Sequence, residues 1–328
     1  MRDDLRLHLL GLAASFLVTS SAIALDIQGH RGARGLLPEN TLPAFARALE
    51  IGVTTLELDC AITKDGVVVV SHDPVLNPDI ARGPDGQWLR ETGPAIWSLT
   101  FEELQRYDVG RLNPARAYAK RWPDQQAVDG TRVPRLADLF ALVQRSGNET
   151  VRFNIETKIS PLEPARTVGP DDFARKLIAA VRAAKMERRV VIQSFDWRTL
   201  AVVQKEAIEI PTVYLTAESG SAANLNKYGD SPWTAGVRYR DHGSVPRMVK
   251  AAGGAVWSPS FGDLTREAVK EARSLGLKVV PWTVNHELDM RRLIDWGVDG
   301  IISDRPDLLR RVAGEAGLPL PPSTPVKP

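Results

Sequence analysis

Two carboxylates stand two residues apart at Glu57 and Asp59, and His72 follows a short distance on. Residues 55–59 read as a strand, so Glu57 and Asp59 point to one face. Asp65-Gly66 is a strong hairpin signal, because a two-residue type I′ turn needs positive φ at both central positions. With that turn, Lys64 faces Val67 and His72 lies opposite Asp59. Further along, Asn154, Glu156 and Lys158 alternate along a second strand and share a face. Three carboxylates from two strands offer only oxygen, a donor set that suits Ca²⁺ or Mg²⁺ and does not suit zinc. His30-Arg31 closes an early apolar strand and adds an imidazole and a guanidinium. One divalent cation beside Arg31 and Lys158 would hold a phosphate and offset charge on its oxygens in a transition state. Plainer readings exist: an edge hairpin with a wet polar side, or a structural Glu156–Lys158 ion pair.

The elements that position these residues repeat. Strands begin near residues 27, 55, 151, 190, 212, 255, 278 and 300, mostly with helices between them. Eight such units predict a TIM barrel, an α/β fold whose active site forms at the C-terminal ends of its strands. A doubly wound sheet competes, but no Gly-x-Gly-x-x-Gly follows the first strand. The hairpin's return strand cannot be a parallel barrel strand, since a parallel crossover needs a dozen or more residues. It is expected to project above the barrel mouth. Thr41 is a helix N-cap with Pro43 in the first turn, and Thr100-Phe-Glu-Glu103 is a capping box. Residues 74–130 form a long insertion rich in Pro, Gly, Asn and Asp. Asp299 and Asp304 flank the last strand and read as turn residues. His242 and His286 read as solvated.

The chain has 328 residues, 43% of them hydrophobic, enough for a sizeable core. A net charge of +2 gives no basic footprint for nucleic acid. Residues 1–24 read as a signal peptide, with Arg2 and Arg6, the apolar run Leu7–Val18 and a small-x-small site at Ala22-Ile23-Ala24. Cleavage would start the mature chain at Leu25, exported and periplasmic. No later stretch is apolar enough to span a bilayer, so no stable membrane insertion is expected after cleavage. A single cysteine, Cys60, excludes an internal disulfide and reads as a small buried apolar residue. The domain is taken as 25–317, with a disordered Pro-rich tail over 318–328.

In several stretches the chain resembles the glycerophosphodiester phosphodiesterase family, a branch of the PLC-like phosphodiesterases. They are His30-Arg31-Gly32 with Pro38-Glu39-Asn40-Thr41, Glu57-Leu58-Asp59, Thr63-Lys64-Asp65-Gly66 with His72-Asp73-Pro74, and Val133-Pro134-Arg135-Leu136. Glu156-Thr157-Lys158, Gln193-Ser194-Phe195, Trp282-Thr283-Val284-Asn285 and Asp299–Asp304 complete the match in order. The resemblance implies hydrolysis of glycerophosphodiesters to glycerol 3-phosphate and an alcohol. It makes Glu57, Asp59 and Glu156 ligands of one cation, His30 the base and His72 the acid. It has Arg31 and Lys158 contact phosphate and Trp282 contact the glycerol. Two other readings are a lysophospholipase D acting on acylated substrates and a protein that captures glycerophosphodiesters without turnover.

Overall fold

The computed structural model describes residues 24–328. The signal-peptide reading therefore lies almost wholly outside the described residues. Nine strands form one sheet: β1 Asp26–Gly29, β2 Thr55–Ile62, β3 Val68–Val70, β4 Arg152–Thr157, β5 Val190–Ser194, β6 Thr212–Thr216, β7 Val256–Pro259, β8 Lys278–Val279 and β9 Gly300–Ser303. All but β3 are parallel, in the order β8-β7-β6-β5-β4-β2-β1-β9. The two ends of this path meet through residues around β8. Asp299 N donates to Val279 O (2.9 Å), Ile302 N to Pro281 O (3.0 Å) and Val284 N to Ile302 O (3.0 Å). The result is a nearly closed eight-stranded TIM-type barrel with the expected strands.

Side-chain alternation divides the barrel. Ile27, Leu56, Leu58, Cys60, Phe153, Ile155, Val190, Ile192, Trp257 and Ile301 belong to the main apolar core that the surrounding helices help to build. The alternate residues Gln28, Glu57, Asp59, Asn154, Glu156 and Gln193 are also buried, but they are polar. Buried polar groups of this density must satisfy one another. Asn154 Nδ2 donates to both Gln28 Oε1 and Gln193 Oε1 (2.9 Å each), and Gln193 Nε2 donates to Glu57 Oε1 (2.6 Å).

The caps act as read. Thr41 Oγ1 accepts from Ala44 N, and the helix Leu42–Ile51 closes at Gly52, whose φ of 84° is open to glycine at little cost. Thr100 and Glu103 form the capping box of Phe101–Leu104. Sequence reading missed the helices Val245–Ala251 and Pro306–Glu315. The insertion carries little regular structure but has its own small core of Leu76, Ala81, Ile96, Leu104 and Val109, packed on Ala61, Val69 and Val133.

Two expectations change. β3 returns antiparallel to β2, but Cys60 pairs with Val70 and Ile62 with Val68. The loop therefore has three residues, Lys64-Asp65-Gly66, because Thr63 captures Val67. Thr63 N donates to Val67 O, Val67 N donates to Thr63 Oγ1, and Gly66 takes the left-handed position at φ 81°. Asp59 O thus accepts from Ser71 N, and His72 is not its cross-strand partner. The tail also differs from the disordered segment expected. Thr324 N donates to Leu49 O (2.9 Å), Asn148 Nδ2 to Thr324 Oγ1 (3.0 Å) and Arg310 Nη1 to Pro321 O (2.6 Å), while Leu318 and Val326 pack on the main core. Proline denies this segment a regular element without denying it a docking surface.

Candidate active site at the barrel mouth

The C-terminal ends of the strands open into a cleft of about 650 Å³. His30, Arg31, Glu57, His72, Glu156, Lys158 and Trp282 all line it. Asp59 lies just beneath, at 1% exposure. His242 and His286 are not among the lining residues.

Glu57, Asp59 and Glu156 each offer a carboxylate oxygen within 4.8 Å of the others. β2 and β4 are in parallel register with Asp59 beside Glu156, which explains the convergence. Burial and the Asp59 charge push the Glu57 carboxyl well above its ordinary range, and burial lifts Glu156 to about 7 against the pull of Lys158. Burial opposes the Asp59 charge too, but Arg31, His72 and Lys158 hold that carboxyl well below the usual range. Asp59 Oδ1 is buried without a hydrogen-bond partner. An orphaned anionic oxygen inside three crowded carboxylates fits a hard divalent cation, which would neutralise the crowding and satisfy that atom.

Arg31 sits in the left-handed region at φ 49°. Its N–H donates to Glu57 Oε2 (2.9 Å) and its carbonyl accepts from Asn40 N (3.0 Å), which holds the unusual conformation. Its guanidinium reaches Glu39 Oε1 (2.5 Å) and Asp59 Oδ2 (3.3 Å). Asn40 Nδ2 also donates to Asp59 Oδ2 (2.9 Å). Lys158 Nζ lies 2.8 Å from Glu156 Oε1 and 3.8 Å from Asp59 Oδ1. Both cations are therefore part of the carboxylate cluster and also face the cleft. Trp282 meets Phe195 edge to face at 5.3 Å, and its Nε1 donates to Ser258 O (2.9 Å), leaving the ring as an aromatic wall.

The two imidazoles have different surroundings. His30 Nδ1 is 2.6 Å from Asp304 Oδ1, and its Nε2 is 3.8 Å from Glu57 Oε2. Asp304 is fully buried and held by Arg34 Nε (2.7 Å), Arg34 Nη2 (3.0 Å) and Asn285 Nδ2 (2.7 Å). Burial opposes its charge, yet His30 and Arg34 hold it well below the usual carboxylate range, so it accepts and His30 Nδ1 donates. Burial pushes His30 down to about 4, against Asp304. The ring is thus neutral at pH 7, with the Nε2 lone pair turned toward the cleft.

His72 follows β3, and its Nδ1 lies 2.8 Å from Asp73 Oδ1; Asn77 Nδ2 steadies Asp73 (2.6 Å). Burial, Arg31 and Lys158 lower its pKa, while Asp59 and Asp73 oppose them.

Sequence reading missed Asp304, taking it for a turn residue. Its place at the C-terminal end of β9 was the available signal. Tyr118, which donates to Glu39 from the insertion, and the amides Gln28 and Asn154 beneath Glu57 were also missed as supports.

The profile of the Glycerophosphoryl diester phosphodiesterase family matches residues 30–308. A glycerophosphodiester phosphodiesterase of Caldanaerobacter subterraneus is 30% identical over 88% of this chain and 97% of its own length. Another, from Bacillus subtilis, is 30% identical over 86% of this chain and 84% of its own. A Silicibacter pomeroyi crystal structure assigned to the same enzymes superposes with a TM-score of 0.80 at 36% identity, covering 90% of this chain and 95% of that one. With a barrel mouth that gathers carboxylates, cations and two histidines, the chain belongs to the glycerophosphoryl diester phosphodiesterase family and is a phosphoric diester hydrolase.

Proposed function

We propose that the enzyme hydrolyses glycerophosphodiesters to glycerol 3-phosphate and an alcohol, using one divalent cation, Ca²⁺ or Mg²⁺, and the pair His30 and His72. The observation that carries this reading is the orphaned Asp59 Oδ1 within the cluster of Glu57, Asp59 and Glu156, at the cleft that His30 and His72 also line. Glu57, Asp59 and Glu156 would hold the cation, which when bound supplies Lewis-acid charge to a phosphoryl oxygen. Arg31 and Lys158 orient the phosphate and offset its negative charge. Trp282 offers its face to the carbon side of the glycerol.

His30, neutral and with Nδ1 tied to Asp304, accepts a proton at Nε2 from the attacking hydroxyl. The Asp304 carboxylate then stabilises the imidazolium. His72 delivers a proton to the leaving alkoxide. An anionic phosphate between Arg31 and Lys158 offsets the two cations that depress His72, favouring its protonated form in the complex.

The test is incubation with glycerophosphocholine, with a glycerol 3-phosphate assay. EDTA should abolish turnover and Ca²⁺ or Mg²⁺ restore it; full activity after exhaustive chelation overturns the carboxylate site. Glu156→Gln should weaken cation affinity about tenfold or more while leaving the fold intact.

We also propose export to the periplasm, on the strength of residues 1–24. N-terminal sequencing from the native host should begin at Leu25, and Met1 retained on a cytoplasmic pool overturns it. Among the described residues no helix is long and apolar enough to cross a membrane.

A further inference from the structure

Beyond Pro74 and Asn77 at its start, the insertion reaches the active-site cleft through one further segment. Residues Ala117–Arg121 form a 3₁₀ turn, and Tyr118 and Arg121 both line the cleft. Side chains three apart in a 3₁₀ helix eclipse one another, so the two stack on one side. Tyr118 is fixed: its hydroxyl donates to Glu39 and accepts from Arg34 Nη1 (3.2 Å). The next residue, Trp122, places its ring 4.5 Å from the Arg34 guanidinium and edge-on to Tyr118. Gln125 Nε2 then donates to Arg34 O (2.7 Å) and Gln126 N to Leu36 O (2.8 Å). This stretch of the insertion is thus seated on the loop that follows β1, and the position of Arg121 is set by its neighbours.

The cleft cations differ in what they face. Arg31 is paired with Glu39, Arg34 with Asp304, Lys158 with Glu156 and Arg166 with Glu163. Arg121 alone among the cleft-lining cations is paired with no carboxylate among the described residues. Its turn is docked on Arg34 through Tyr118 and Trp122, and it lines the same cleft as His72. Trp282 and Phe195 form the separate aromatic wall.

We infer that Arg121 is a specificity-determining residue of the leaving-group subsite, and that the insertion thereby selects glycerophosphodiesters whose alcohol carries a further negative charge, such as a second phosphate. The inference rests on the reading that His72 protonates the leaving alcohol and Trp282 faces the glycerol. A guanidinium held at the subsite's edge by a docked backbone, with its donors unspent, can meet a phosphate bidentately. Other carboxylates that line the cleft are engaged: Glu39 by Arg31 and Tyr118, Asp73 by His72 and Asn77, Glu163 by Arg166.

The experiment compares glycerophosphoinositol, the same compound carrying a ring phosphate, and glycerophosphocholine as substrates of the wild type, Arg121→Lys, Arg121→Ala and Arg121→Glu. In the wild type the ring phosphate should raise kcat/KM about tenfold over the unphosphorylated inositol, mainly through KM. Arg121→Ala should remove most of that ratio, Arg121→Glu should invert it relative to glycerophosphocholine, and Arg121→Lys should keep part of it. Raising salt from 0.05 to 0.5 M should compress the wild-type ratio and leave that of Arg121→Ala unmoved, because an exposed charge is screened over a few ångströms at the higher salt. A ratio that is the same in wild type and Arg121→Glu overturns the inference while leaving hydrolysis intact. A wild type that hydrolyses none of the three overturns the reading beneath it as well.

Discussion

The two histidines of the barrel mouth are held in different ways. His30 sits at the end of the first barrel strand against Asp304 at the end of the last, and Asp304 is locked in turn by Arg34 and Asn285. His72 comes from beyond the hairpin, and its partner Asp73 is the adjacent residue. The side chains of His72 and Asp73 are 30% and 26% exposed, against 11% and 0% for His30 and Asp304. A base that must stay neutral and aimed gains from a buried partner on the scaffold. An acid that must regain its proton in every cycle gains from contact with water. On the proposed assignment of His30 as base and His72 as acid, the difference between a fixed and an accessible ring follows the difference in task.

The largest effect that could break this comparison is removal of either ring. His30→Ala should lower kcat by about 10²–10⁴-fold on both glycerophosphocholine and a nitrophenyl phosphodiester. His72→Ala should be as severe on glycerophosphocholine and much milder on the nitrophenyl ester, whose leaving group departs as an anion. Rescue of His30→Ala by the nitrophenyl substrate would reverse the roles; rescue of neither variant would void the division of labour.

The partners sharpen it. Asp304→Asn should cost about 10²-fold in kcat on both substrates, since the amide no longer enforces the Nδ1–H form or stabilises the imidazolium. Asp73→Asn should cost less than about tenfold, its partner being 30% exposed to solvent, and should shift the alkaline limb of the pH profile. Equal losses in the two variants would erase the distinction between the sites.

The smallest effect is on stability. In chelated protein, His30 titrates near 4 when folded and near 6.5 when unfolded. The unfolded chain binds the proton first, so this contribution is fully present above pH 6.5 and is lost as the pH falls toward 4. The span corresponds to about 3 kcal/mol. His30→Gln should flatten the fall of Tm between pH 7 and 4 in EDTA more than His72→Gln does. The reverse order would show that His72 is the more deeply held ring.

Much of this arrangement could be read from the chain. Eight apolar segments with helices between them were legible because barrel strands and helix caps leave local signatures, as at Thr41 and Thr100. Glu57, Asp59 and Glu156 were legible because alternation puts each on the inner face and parallel register aligns them. The hairpin register was not, because one side chain, that of Thr63, captured the loop and added a residue to it. Asp304 was not, because its role exists only once the last strand lies beside the first. Tyr118 was hidden for the same reason, its partner Glu39 being 79 positions away.

The His30–Asp304 pair spans 274 positions, nearly the whole length of the described chain. Contacts of such separation form late, after the loop entropy between them has been met. A chain interrupted between β4 and β9 therefore carries all three carboxylates but lacks the Asp304 that orients His30. On the proposed mechanism hydrolytic competence arrives with the last strand, so truncated chains should be silent and the onset of activity during refolding should report closure of the barrel.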